Sequence, residues 1–246
     1  MNRRLAHVFR AAPRPGKLLF LTWLIAASAG AQGTNSTPVT LEQVARAMAP
    51  AQTVFTHFVQ ERHLSLFTEP LRSEGYLCCQ KPGRLRWEIT KPYQSILVSD
   101  GSGVAQFEWM NDRWQKLELG LADAMQQVVG QIASVIEGGY AHNTREFTAA
   151  VSSGASGPVV TLIPRRDKVR QMIRAIEVHL APDLRGTRQV ILRETNADFT
   201  DIRFDEQTVN RPLPPGTFDR AKPLPLDAVR DAVRAATGPP GAKPDA

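Results

Sequence analysis

The sequence predicts an α+β domain: about eleven short antiparallel strands forming one sheet, with a few helices. From Val54 onward apolar residues alternate with period two, in short runs separated by Gly, Pro, Asn and Asp. Asp100-Gly101 and Asn111-Asp112 sit between such runs as hairpin turns, so consecutive strands are neighbours. Helical spacing is confined to a few segments, chiefly near residues 40–49 and 121–137.

Thr40 opens the first helix: Gln43 completes a capping box, and Leu41, Val44, Ala45 and Met48 form an apolar stripe that Pro50 ends. Strands are expected at Phe55 to Leu66, Arg72 to Gln80, Arg84 to Thr90, Tyr93 to Ser99, Val104 to Met110 and Arg113 to Leu117. From Leu121 to Glu137 the period becomes helical, and Gly138-Gly139 stops it. Strands resume at Arg145 to Ser152, Val159 to Pro164, Ile173 to Leu180, Gly186 to Glu194 and Asp198 to Phe204. Arg211 to Lys222 is too proline-rich for a central strand, and a short helix from about Leu226 to Ala236 precedes a Gly/Pro tail expected to be disordered. The expected division is a signal segment at 1–31, a linker at 32–39, one domain at 40–222, and a helix with tail at 223–246.

With 246 residues and 42% apolar content, the chain can bury one core. Its net charge of +6 suggests a polyanionic partner until the charges are located. Arg3, Arg4, Arg10, Arg14 and Lys17 precede the apolar run Leu18 to Ala27, which is too short to span a bilayer and leads into small residues. That segment reads as a cleaved secretory signal. The remainder is nearly neutral, with no general electrostatic case for nucleic acid. Export permits disulfides, but adjacent Cys78 and Cys79 would point to opposite faces of a strand, so two small buried thiols are expected instead.

Reactive constellations are missing. His57, His63, His142 and His179 have no metal-ligand spacing, there is no nucleophile elbow, and no glycine loop has phosphate-cradling spacing. Asp198, Asp201, Asp205 and Glu206 offer an acidic pair in principle, but near the end of a strand they read better as a solvated edge. The run Arg165, Arg166, Lys168, Arg170 and Arg174 reads as a solvated loop, with an acidic protein partner as the other reading. An enzyme, a metal and a cofactor are therefore not expected. Strand phase does align Leu77 with Cys79, and Leu85 with Trp87 and Ile89, with Arg84, Arg86 and Glu88 opposite; Val54 and Phe58 share a face. Periodicity alone leaves open whether those faces fill a core or line a hollow.

Phe58-Val59-Gln60, Gly75, the block Lys81-Pro82-Gly83-Arg84-Leu85-Arg86-Trp87-Glu88, Pro92, and Ile96 to Gly101 together resemble the LolA-like outer-membrane lipoprotein carriers. Thr200 to Phe204 and Asn210 to Pro214 look similar to that family too. The resemblance implies an incomplete, strongly curved antiparallel barrel with helices covering its concave face and an acyl-chain cavity between them. It puts Val54, Phe58, Leu77, Leu85, Trp87, Ile89, Ile96, Val98 and Phe107 on the cavity wall, and Met125, Val128, Val129 and Ile132 in a lid. Where the family often has a lid-bonding arginine before the motif proline, this chain has Lys81, a candidate gate with charge but no planar fork. The segment Phe67 to Ser73 looks more like relatives serving other exported lipids, so cargo stays open.

The function expected from this is a monomeric periplasmic carrier. It takes an acylated lipoprotein or other lipid from an inner-membrane donor complex and passes it to an outer-membrane acceptor. The other reading is a lipid- or lipoprotein-sensing regulatory protein on the same half-barrel.

Overall fold

A computed structural model describes residues 39–117 and 146–236. The leader, the helix expected at Leu121 to Glu137 and the end of the tail lie outside the described residues, and so do Met125, Val128, Val129 and Ile132.

Helix α1 (Leu41–Met48) starts at Thr40: the Thr40 hydroxyl accepts the Gln43 amide at 3.2 Å, and Gln43 Oε1 accepts the Thr40 amide at 2.8 Å. This is the expected capping box. Six strands follow as a meander: β1 (Thr53–His63), β2 (Leu71–Gln80), β3 (Arg84–Lys91), β4 (Ser95–Asp100), β5 (Val104–Met110) and β6 (Arg113–Leu117). A second meander comprises β7 (Phe147–Gly154), β8 (Gly157–Pro164), the single turn α2 (Asp167–Arg170), β9 (Ile173–Leu180), β10 (Thr187–Glu194) and β11 (Phe199–Val209). Helix α3 (Leu226–Ala235) ends the described chain.

Every strand pair is antiparallel, in the order β6-β5-β4-β3-β2-β1-β11-β10-β9-β8-β7, so β1 and β11 join the two meanders at the centre. Among the described residues β6 and β7 are edges, and the sheet is an unclosed barrel. The acidic residues of β11 therefore lie on an interior strand, not an edge. Asp201 is buried there, accepting from Gln189 at 2.7 Å and Arg203 at 2.6 Å.

Turn chemistry explains the tight corners. Asn111 and Asp112 both take positive φ, 52° and 58°, which residues with short polar side chains tolerate in a two-residue hairpin. Gly75 sits where the β2–β3 register shifts, and a Cβ there would stand 1.8 Å from the Glu88 carbonyl oxygen, so no larger residue fits.

Alternation sorts the side chains onto two faces. The inner face carries Val54, Phe58, Leu77, Cys79, Leu85 and Ile202. It continues through Val190 to Val160, Leu162, Ile176 and Val178, where Val44 and Met48 of α1 pack. The outer face of β2–β5 carries Cys78, Ile96, Val98, Ala105 and Phe107 beneath Phe218, Val229 and Val233. The sequence-drawn boundary at 222 thus cuts a packed unit, because the i, i+4 pair Val229 and Val233 seats α3 on the sheet.

Candidate functional site

The inner wall is built by cross-strand pairing. Thr56 stands opposite Leu77, Leu77 opposite Trp87, and Trp87 opposite Leu97, while Cys79 faces Leu85 and Phe58 faces Phe204. Phe58, Leu77 and Leu85 are fully buried, and the rings of Phe58 and Trp87 lie 4.3 Å apart. Trp87, Ile89, Leu97 and Phe204 are only half-buried. Val54, Phe58, Leu77, Leu85, Trp87 and Ile89, grouped from the sequence, share this one cluster.

Ile96, Val98 and Phe107 do not join them. Ile96 pairs with Glu88 and Phe107, and Val98 with Arg86 and Ala105, which puts all three on the outer face under α3. Ile96-Leu97-Val98 is apolar on both faces, so its alternation cannot be read, and Leu97 is the residue that points inward. Ile202, Phe204 and Val190 were missed because their place on this wall depends on the β1–β11 pairing between distant segments. The alternation of Thr200, Ile202 and Phe204 was the available signal.

Lys81 lies in the β2–β3 turn, and its Nζ donates to the carbonyls of Met48 and Ala49, each at 3.3 Å. A cation there meets carbonyl oxygens at the C-terminal end of α1, where the helix dipole favours positive charge.

The outer face is polar at its centre. Arg86, 1% exposed, donates to Glu88 Oε2 from Nε at 2.9 Å and Nη2 at 2.6 Å. It also donates to the carbonyls of Thr217 at 3.4 Å and Leu224 at 2.6 Å. Burial pushes the Glu88 carboxyl above its usual range, against the pull of Arg86. Arg220 holds Asp100 at 2.6 Å, tying the same C-terminal segment to the β4–β5 turn. A cleft of about 350 Å³ opens beside Glu88, Trp114 and Arg230; it lies on this side, away from the inner wall. Cys78 and Cys79 form no disulfide and are buried on opposite faces, and burial pushes the Cys78 thiol up to about 12.

The sheet is thus unclosed and antiparallel, with a broad apolar face on part of which α1 packs. The family model "Outer membrane lipoprotein carrier protein LolA" matches residues 49–221, and the chain belongs to that family of non-enzymatic carriers. An outer-membrane lipoprotein carrier protein of Dechloromonas aromatica is 28% identical over 167 residues, covering 65% of this chain and 73% of that one. One from Chromobacterium violaceum is 27% identical over 157 residues, covering 64% and 72%. A LolA superfamily protein of Nitrosomonas europaea, solved by crystallography, superposes with a TM-score of 0.43 at 12% identity over 74% of this chain and 99% of that one.

Proposed function

We propose that the inner face holds acyl chains of a lipoprotein or another lipid, and that the protein carries them through the periplasm from an inner-membrane donor to an outer-membrane acceptor. The observation that carries this reading is the row Trp87, Ile89, Leu97 and Phe204: large apolar side chains only half-buried on a wall whose neighbours are fully buried. A sixteen-carbon chain in water costs on the order of 12 kcal/mol, at about 0.8 kcal/mol per methylene, so an aqueous crossing requires a sheath. Release requires that the sheath hold cargo by area and not by a set of directional bonds, and this wall is mainly apolar, with Thr56 and Ser99 as polar members beside Leu77 and Leu85.

In this reading Val54, Phe58, Leu77, Leu85, Trp87 and Ile89 contact cargo. Lys81 acts as a gate by anchoring the end of α1, beside which the chain passes into β1. The basic leader followed by an apolar run directs export.

The test is gentle purification of the exported protein followed by mass spectrometry of copurified lipid. Acylated peptides are expected for lipoprotein cargo, and free glycolipid or other acyl species for a specialised lipid pathway. Trp87→Glu is expected to remain folded by circular dichroism and to lose binding of a fluorescent fatty acid. A folded Trp87→Glu protein that binds the probe like its parent would remove the inner wall from the cargo site.

A further inference from the structure

Nine large apolar side chains stand exposed among the described residues, and eight of them fall at one end of the sheet. Antiparallel order places the β1–β2, β3–β4, β5–β6, β8–β9 and β10–β11 connections together at that end; His63 pairs with Phe199, and Leu162 with Ile176. Leu66, 90% exposed, and Phe67, 58% exposed, stand on the β1–β2 loop, with Leu71 at the start of β2. Tyr93 occupies the β3–β4 loop, Trp109 and Met110 the end of β5, and Ile163 and Met172 flank the β8–β9 connection. Only Val209 lies at the other end.

Cations are interleaved with them. Arg72, Lys91 and Arg113 lie on the same rim, where Glu69 and Asp112 also stand, and the β8–β9 connection with the start of β9 holds Arg165, Arg166, Lys168, Arg170 and Arg174 against the single acid Asp167. Arg72, Lys91, Arg166 and Arg170 have carboxylate partners in Glu61, Glu74, Glu146 and Asp167. Arg113, Lys168 and Arg174 have no ion pair among the described residues, although the chain without its leader is nearly neutral.

Exposed Leu, Phe, Trp and Tyr beside Arg and Lys is the chemistry of a bilayer interface: rings and aliphatic tips enter the headgroup boundary while cations meet anionic phosphate. The apolar residues are spread over loops and strand ends from β5 across to β8 along one end of the sheet, which suits a plane better than a protein ridge. No described helix is long and apolar enough to cross a membrane. We propose that this rim docks the protein onto the surface of a bilayer containing anionic phospholipid. The proposal goes beyond the cargo reading and does not rest on it.

The test is flotation of the exported protein with vesicles of phosphatidylcholine alone and of phosphatidylcholine with phosphatidylglycerol. The protein is expected to float with the second, less so as salt is raised. The double variants L66S/F67S and R165E/K168E are each expected to lower the bound fraction roughly fivefold or more, with unchanged circular dichroism and unfolding midpoint. A parent that stays in solution with both vesicles, or variants that float like the parent, would overturn the proposal. So would rim variants that fail only in handing cargo to an acceptor protein while their vesicle binding is intact. Fatty-acid probe binding measured on the same proteins reports on the inner wall separately, and its loss in the parent would count against the carrier reading alone.

Discussion

On the outer face of β2–β5 the cover belongs to the same polypeptide and is pinned by charge: Arg86 bridges Glu88 to the Thr217 and Leu224 carbonyls, and Arg220 holds Asp100. On the inner face of the same strands, one residue away in sequence, Trp87, Ile89 and Leu97 meet their surroundings through apolar contact and remain half-buried. Directional bonds between buried charges fix one arrangement, and leaving any of them unmade is costly. Apolar contact can be exchanged for another hydrocarbon at little cost. The sheet is thus locked from outside, and in the carrier reading proposed above this lets the inner wall exchange hydrocarbon while the strands keep their register.

The largest expected effect comes from placing the same charge on each face. Ile96→Glu, at a position 1% exposed under α3, buries a carboxylate without a partner and is expected to abolish folding or cost several kcal/mol. Trp87→Glu should cost about 2 kcal/mol or less, because its side chain already reaches solvent on the half-buried wall. Guanidinium unfolding midpoints compare the two, and equal losses would erase the distinction between locked and exchangeable faces.

Next comes the lock itself. Arg86→Met leaves Glu88 buried and unpaired, and a loss of about 3–5 kcal/mol is expected; adding Glu88→Leu should recover most of it. Recovery in urea denaturation of the double variant would assign the loss to the orphaned charge, whereas no recovery would assign it to the bonds Arg86 makes to Thr217 and Leu224.

The smallest effect is a pH dependence. Burial alone would raise the Asp100 carboxyl, but hydrogen bonds from the Ser102 amide, Arg220, the Ser102 hydroxyl and the Gly103 amide overcome it and hold the group well below its ordinary value of 3.8. Since the folded value is the lower one, the stabilisation is complete above the ordinary carboxylate range and fades as pH falls through and below it. Asp100→Asn should therefore lower the thermal midpoint at neutral pH and flatten its decline in acid. A parallel decline in both proteins would show that this tie contributes nothing measurable.

Local chemistry reached far in this chain. Thr40 with Gln43 specifies the start of α1, Asn111-Asp112 specifies a hairpin, and the period-two runs give eleven strands with most ends within about two residues. Leu85, Trp87 and Ile89 could be grouped because the alternating residues Arg84, Arg86 and Glu88 are charged, making the phase visible. The phase of Ile96-Leu97-Val98 was decided only by tertiary structure, since burial on both faces removes the polar marks that distinguish them. The same holds for the pairing of β1 with β11, for Arg86 and Glu88 as a buried lock, and for the gathering of Leu66, Tyr93, Trp109 and Met172 at one rim. Those features join segments far apart along the chain, and sequence alternation records which side a residue takes on its own strand but not which distant strand or helix comes to lie against it.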